Sequence, residues 1–327
     1  MPKITLIYPA APGRLSLRTE LDWDRDLQAE PPSESQSPFH NFEVDLSGRR
    51  SLLFKPVLQT ARGPLWSVGH NFRAREGVDR QIYPFFAEDS RGEVLPAQVE
   101  GRRISLYLPA GYTENTLKHY PVLYMNDGQN LFEPVAGRDW KVDETLDSFH
   151  LWSQIHKFIV VGLHHRGSHE QRERDYALHW QPFARTVVET IKPFVDARFR
   201  TLTGPSNTAI AGSSLGGLGA LYLAWQYPEV FGSVACFSGA FPDYGGPFLE
   251  LVERQAKPPI RVYLDSGMAG IQNDGFDSTR EVRAYLLHKG FEQGRDLFYY
   301  CFPLDEHNET AWATRFSLPL QLFFGDT

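Results

Sequence analysis

Residues 208 to 226 constrain the fold of this chain more tightly than any other stretch. Thr208-Ala209-Ile210 reads as a short buried strand, and Gly212-Ser213-Ser214-Leu215-Gly216 follows it directly. Leu218, Leu221, Tyr222 and Trp225 then form a helix-period stripe that stops before Tyr227-Pro228. A strand that passes into a helix through Gly-x-Ser-x-Gly makes a sharp, strained turn with the serine at its tip. Side chains two residues before and after it would collide with the neighbouring strand and helix. Gly212 and Gly216 meet that requirement around Ser214, whereas Ser213 has no glycines at the right spacing. The pattern presents Ser214 as a nucleophile, with the Leu215 backbone N–H as one donor of an oxyanion hole. The competing reading is a glycine-rich structural turn, and the strand before and helix after argue against it.

The rest of the chain divides into two rhythms. From Met1 to about Phe86, short runs (Ile4 to Tyr8, Phe42 to Leu46, Leu52 to Leu58, Leu65 to Val68) alternate with breaks such as Pro31-Pro32-Ser33-Glu34-Ser35, without helical periodicity. Residues 1–88 therefore read as a small β-sandwich, with the polar stretch from Ala87 to Gly92 as its boundary. In residues 93–327 strands alternate with helices. Strands are expected at Arg103 to Leu108, Val122 to Met125, Phe158 to Gly162, Ala209 to Gly212, Ser233 to Phe237, Ile260 to Leu264 and Leu297 to Phe302. Helices are expected at Val142 to Ser153, Phe183 to Phe199, Leu218 to Gln226, Phe248 to Arg254, Ser278 to Lys289 and Thr310 to Phe324. The fold class is α/β, a mainly parallel sheet with helices on both faces, and ligands of such sheets bind beyond the carboxyl ends of the strands.

Composition removes several functions. The 327 residues are 42% hydrophobic with a formal net charge of -7, which argues against disorder and against a nucleic-acid partner held by its phosphates. No apolar run approaches the ~20 residues that span a bilayer. Met1-Pro2-Lys3-Ile4-Thr5 does not open a signal peptide, so a cytoplasmic protein without membrane attachment is expected. Cys236 and Cys301 sit in apolar segments and read as buried free thiols.

A serine hydroxyl needs a base, and the base needs a carboxylate to orient it. On this fold the chain order is serine, acid, histidine. Only His288 and His307 follow Ser214. His288 closes an amphipathic helix beside Gly290, whereas His307 lies in the loop after the last strand and is the expected base. Three aspartates compete for the acid. Asp274 in Gln272-Asn273-Asp274-Gly275 is placed first, Asp265 at a strand end second, and Asp277 third, because Ser278-x-x-Glu281 reads as a capping box with Asp277 at the helix entrance. The second oxyanion donor is expected from the turn Met125 to Asn130, at the backbone N–H of Gly128 or Gln129, unless Asp127-Gly128 is only a tight turn. His164, His165, His169 and His179 lack the spacing of a metal site, and no metal is expected. Arg166, Arg172 and Arg174 are available to an anionic substrate group unless Glu170, Glu173 and Asp175 neutralise them.

With these residues in view, the catalytic portion resembles the enterochelin-esterase and feruloyl-esterase-like family of α/β-hydrolases, from about Arg103 to Gly325. The matching stretches are Tyr107 to Tyr112, Tyr120 to Phe132, Gly212 to Gly217, and His307-Asn308-Glu309 with Trp312. The resemblance implies an α/β-hydrolase fold and hydrolysis of a small-molecule carboxylic ester through an acyl-enzyme, without metal or organic cofactor. It places the nucleophile on Ser214, the base on His307 and the acid on Asp274. The ester classes it implies are siderophore trilactones, hydroxycinnamoyl esters and small acyl esters. The N-terminal part is similar to the starch-binding-type sandwiches that precede some of these esterases, which implies a carbohydrate contact. Two rivals remain: a non-catalytic binding protein on the same scaffold, and an acyltransferase to a sugar.

Overall fold

Alternation of apolar and charged residues organises the first part of the chain in the computed structural model, which describes residues 1–9, 13–27, 29, 38–87, 89–135, 137–152 and 155–325. The Pro31 to Ser35 break, Ser153 at the end of one expected helix, and Glu88 at the expected boundary lie outside them. Eight strands form here: β1 (Lys3–Ile7), β2 (Arg14–Thr19), β3 (Asp22–Leu27), β4 (Phe39–Glu43), β5 (Ser51–Thr60), β6 (Gly63–Trp66), β7 (Phe72–Arg75) and β8 (Arg80–Ile82). One sheet has the order β4-β1-β8 and the other β3-β2-β5-β6, with β7 also pairing β5. Ile4, Leu6 and Phe42 from the first sheet share a core with Leu17, Leu52 and Phe54 from the second. This is a sandwich whose two sheets bury their facing sides in one core. The sequence reading missed β2, β3, β7 and β8 because their charged residues obscure the alternation. Arg18 and Asp26 neutralise one another across β2 and β3 at 2.6 Å.

The chain forms two compact units, and they are not separated by one cut. The first comprises residues 1–92 together with 109–118 and 147–154, and the second holds 93–108, 119–146 and 155–327. Within the first unit, Glu114 accepts hydrogen bonds from the Tyr8 hydroxyl (2.8 Å) and the Phe86 N–H (2.7 Å). Asn115 donates to the carbonyls of Ile7 and Pro84, both at 2.9 Å.

In the second unit a single sheet carries β9 (Glu93–Val99), β10 (Arg102–Leu108), β11 (Val122–Asn126), β12 (Ile159–Leu163), β13 (Thr208–Ser213), β14 (Ser233–Phe237), β15 (Arg261–Gly267) and β16 (Leu297–Phe302). Its order is β9-β10-β12-β11-β13-β14-β15-β16. The six strands from β12 to β16 run parallel, while β9 and β10 close one edge antiparallel. Every residue of β11, β12, β13 and β14 is buried, as strands covered on both faces require. The strand β9 and the helical turns between His169 and Leu178 escaped the sequence reading.

Helices form where expected, with four differences, the first being that the one expected from Phe248 to Arg254 starts seven residues earlier, at Phe241. The helix Leu215–Gln226 buries every residue except Gln226, so it is enclosed rather than striped. The helix expected over Phe183 to Phe199 is broken by a π-helical stretch, Thr186–Ile191. The one expected from Thr310 to Phe324 divides at Phe316 into Glu309–Arg315 and Ser317–Phe324. Among the described residues no helix is long and apolar enough to cross a membrane. The strand order reverses at β11, which lies between β12 and β13, and this opens a crevice at the carboxyl ends of β11 and β13.

Candidate active site

Ser214 stands at the carboxyl end of β13 with φ 54° and ψ -126°, a conformation that costs a non-glycine residue roughly 1–3 kcal/mol. Backbone hydrogen bonds hold it there. Its N–H donates to the Phe237 carbonyl (2.9 Å), and its carbonyl accepts from the N–H groups of Gly217, Leu218 and Ala240, each at 3.1 Å. A methyl group on Gly212 would lie 2.5 Å from the Gly216 carbonyl carbon, and one on Gly216 would lie 2.7 Å from Asp127 Oδ2. Both glycines are required by close approach, as the spacing predicts. Leu215 begins the helix, so its N–H is among the donors that helix geometry leaves without an internal partner.

Asp274 and His307 lie in the segments that follow β15 and β16, at the edge of the sheet opposite β9. His307 precedes Asn308, whose side chain caps the helix Glu309–Arg315 by accepting from the Ala311 N–H at 3.0 Å. The His307 ring is partly exposed, and its Nδ1 lies 2.6 Å from Asp274 Oδ1. Asp274 is buried in a tight turn in which Gln272, Asn273 and Asp274 all have φ near +50°. Burial opposes its negative charge, but hydrogen bonds with His307, Ser238 and Gly267 outweigh that cost and hold its pKa below the ordinary carboxylate range. Among the described residues, no hydrogen bond joins Ser214 Oγ to His307.

The other two aspartates have different surroundings. Asp265 lies within β15, completely buried, where it accepts from the Tyr263 hydroxyl (2.7 Å) and the Ser238 N–H (3.2 Å), and Arg315 Nε stands 3.3 Å away. Burial pushes its pKa up to about 7, against the opposing pull of Arg315, Tyr263 and Ser238. Asp277 is exposed on the first turn of the helix Phe276–His288, with Arg280 at 3.9 Å. The expected capping box does not form, because this helix starts at Phe276 with Gly275 at its N-cap and Ser278 already inside the first turn. His288 ends that helix exposed to solvent.

The turn after β11 lies beside the elbow. Asn126 Nδ2 donates to the Gly216 carbonyl at 2.7 Å, which ties the two turns together. Asp127 has φ 59°, and Gly128 and Gln129 follow it in a short 3-10 turn. A side chain at Gly128 would run into the backbone of Gly162 on β12, so packing against the next strand is sufficient reason for that glycine. Arg172 grips Asp127 through two hydrogen bonds of 2.8 and 2.7 Å. Arg172 is thus neutralised by a partner remote in sequence, not by Glu170, Glu173 or Asp175. Of the histidine run, His164 pairs with the Ser105 hydroxyl at 2.9 Å, and burial with nearby Arg103 and His165 lowers its pKa to about 4.

Sequence reasoning missed Ser238 and Arg315. Ser238 is a fully buried residue with φ 44° at the end of β14, and Arg315 is a buried cation on the helix after His307. The one available signal for Arg315 was a lone charge in the apolar stretch Ala311 to Leu320.

The profile of the family described as "Putative esterase" matches residues 99–321, and the chain belongs to that family. It is a carboxylic ester hydrolase with an α/β-hydrolase fold. Among curated proteins it is 21% identical over 257 residues to the uncharacterized protein YbbA of Bacillus subtilis, covering 72% of this chain and 97% of that protein. It is 28% identical over 160 residues to an endo-1,4-beta-xylanase/feruloyl esterase of Xylanibacter ruminicola, covering 47% of this chain but 21% of that protein. Among solved structures, the enterobactin esterase FES from Shigella flexneri in the presence of enterobactin superposes with a TM-score of 0.60 at 15% identity, over 97% of this chain and 90% of that one. A ferulic acid esterase gives 0.57 at 16% identity, over 72% of this chain and 98% of that one. These structural likenesses speak for the fold.

Proposed function

We propose that the chain cleaves a small-molecule carboxylic ester through a covalent acyl-enzyme on Ser214, with His307 as base and Asp274 as its orienting acid. The observation that carries this reading is the 2.6 Å hydrogen bond between His307 Nδ1 and Asp274 Oδ1, on a sheet whose central strand ends in the strained Ser214 turn. In the first half-reaction the Ser214 oxygen attacks the ester carbonyl carbon while its proton passes to His307. The N–H of Leu215 and that of Gly128 or Gln129 receive the developing oxyanion. The tetrahedral intermediate collapses, the alcohol leaves with the proton from His307, and water repeats the sequence to release the acid. Asp274 holds His307 with its Nδ1 protonated and stabilises the imidazolium.

A fluorophosphonate probe tests this directly. It should label the chain at Ser214, and Ser214→Ala should abolish both labelling and turnover of an activated aryl ester while leaving the unfolding curve in place. Equal labelling of the variant would remove Ser214 from the nucleophile role and place the reactive group elsewhere in the chain. Product analysis with and without a sugar acceptor separates hydrolysis from acyl transfer.

A second observation bears on the substrate. A cavity of about 350 Å³ lies at the ends of β11 and β12, lined by Arg102, Arg103, Gln129, His164, His165 and Arg166. Asp175 neutralises Arg102 at 3.0 Å, whereas Arg103 and Arg166 make no ion pair among the described residues. Two free guanidiniums beside the proposed oxyanion turn favour an ester with an acidic group, such as a catechol or carboxylate, over a neutral acyl ester. Replacing both by Gln should raise KM for an acidic ester and leave KM for a neutral aryl ester unchanged. An equal effect on both would count against this choice.

A further inference from the structure

The Ser238 hydroxyl is fully buried between the proposed acid and the helix that follows the proposed base. Its oxygen accepts from Trp312 Nε1 at 3.0 Å and from Arg315 Nη2 at 2.9 Å. It lies 2.6 Å from Asp274 Oδ2. A hydroxyl has one proton and two lone pairs. With both lone pairs engaged by N–H donors, the proton has one direction left, towards Asp274.

We propose that Ser238 is a positioning residue for the hydrolytic site: Trp312 and Arg315 force its hydroxyl to donate to Asp274 Oδ2, which leaves Oδ1 facing His307. This rests on the assignment of Asp274 and His307 above. The Gly267 N–H donates to the same Oδ2, so two donors saturate that oxygen and the carboxylate has one oxygen left for the imidazole. The arrangement also disfavours a proton on Oδ2, because both of its lone pairs already receive hydrogen bonds.

The partners of Ser238 come from three parts of the fold: β15, the turn holding Asp274, and the helix Glu309–Arg315. The Ser238 backbone N–H is shared between the carbonyl (3.0 Å) and Oδ1 (3.2 Å) of Asp265, which holds φ at 44° and turns the side chain towards the acid. Trp312 and Arg315 lie five and eight residues beyond His307, so the helix that orients the hydroxyl is anchored beside the base. The Trp312 and His307 rings meet edge to face at 5.0 Å. Arg315 is surrounded by carboxylates: Asp265 at 3.3 Å, Asp305 at 3.5 Å and Asp274 Oδ2 at 3.8 Å. The nearest of them is Asp265, so Arg315 reaches Asp274 chiefly through the Ser238 hydroxyl and not as a direct partner that would compete with His307.

Loss of the hydroxyl leaves Oδ2 with one donor and allows the carboxylate to rotate away from His307. A displacement near 1 Å at a reacting group costs up to about 10²-fold in rate. Ser238→Ala should therefore lower kcat on an activated aryl ester by about 10- to 100-fold with KM unchanged. It should also move the acid limb of kcat/KM to lower pH, because a carboxylate turned away from the imidazole stabilises its protonated form less. Trp312→Phe keeps the ring and frees one lone pair, and should give a several-fold loss with a smaller limb shift in the same direction. It also serves as the test should Ser238→Ala fail to fold. A merely structural serine would lower the unfolding midpoint without moving the pH limb, and that result, or wild-type kcat and pH profile in either folded variant, would overturn the proposal. Ser214→Ala is run alongside. If it keeps full turnover, the esterase assignment itself fails. If it is inactive while both Ser238→Ala and Trp312→Phe behave as wild type, only the role of Ser238 falls.

Discussion

The elbow at the end of β13 and the loop after β15 that carries the proposed acid, here called the acid loop, both hold a residue at positive φ, and they do so by different means. Ser214 is held by backbone: four main-chain hydrogen bonds to its N–H and carbonyl, and two glycines whose absent side chains allow the strand and helix to touch. Asp274 is held by side chains and one strand-end amide: Ser238, His307 and the Gly267 N–H. Main-chain geometry repeats whenever the local pattern repeats, so the elbow tolerates changes around it provided its glycines remain. The acid loop depends on groups up to 36 residues away in the chain, and a change at any of them reaches the carboxylate.

This contrast is broken most directly at the acid loop. Asp274→Asn should lower kcat by about 10⁴-fold, because an amide orients the base in the wrong tautomer. Asp265→Asn should leave kcat within a few fold and act on stability instead. If steady-state kinetics on an aryl ester give the large loss to Asp265→Asn, the acid is the strand residue and the loop only supports it.

A smaller effect separates the same two aspartates through pH. The pKa of Asp265 is raised by burial to about 7. The folded state therefore holds a proton that the unfolded chain has already released, and the stability this contributes is complete below about pH 4 and lost as pH rises through about 7. Asp274 has the opposite sign: its pKa is lowered, so its contribution is present above the ordinary carboxylate pKa and lost as pH falls through the folded value. Denaturant unfolding across pH should show the decline between pH about 4 and about 7 flattened in Asp265→Asn and retained in Asp274→Asn. A decline that is unchanged in Asp265→Asn would show that another group causes it.

The elbow is tested by sterics. Gly216→Ala places a methyl group 2.7 Å from Asp127 Oδ2 and 3.1 Å from Asn126 Cβ. It should cost about 1–3 kcal/mol in stability through overpacking, and should lower kcat because the displaced turn carries the proposed second oxyanion donor. Arg172→Gln leaves the elbow intact and removes only the clamp on Asp127, so a few-fold change in kcat is the expected limit. Should the two variants lose activity equally, the clamp would matter as much as the glycine and the elbow would not be a purely local device.

Much of the second unit was legible because its signals are local. Seven of its strands were read from short apolar runs, and β9 was missed because Glu93, Pro96 and Gln98 dilute its pattern. The strained turn at Ser214 and the proximity of His307 to Asp274 were legible because the elbow is a local motif and only one histidine follows the last strand. The acid was less so. Asp265 and Asp274 are nine positions apart in one segment, and their local patterns do not distinguish an aspartate that meets a histidine from one that meets an arginine. The capping box at Ser278 satisfied a sequence rule, yet the chain entered that helix two residues earlier through Gly275.

By itself the sequence determined the strained turn at Ser214, the alternation of strands and helices, and the end of the sheet at which that turn lies. Each depends on residues within one or two turns of each other, where covalent spacing nearly dictates spatial spacing. The tertiary structure alone decided that Arg172 serves Asp127, that Asp265 is shut in with Arg315 and Tyr263, and that Ser238 stands behind Asp274. Those partners are brought together by strand order and helix placement across the sheet. Hydrogen bonds act over about 3 Å, so no reading along the chain can tell which distant groups will come within reach.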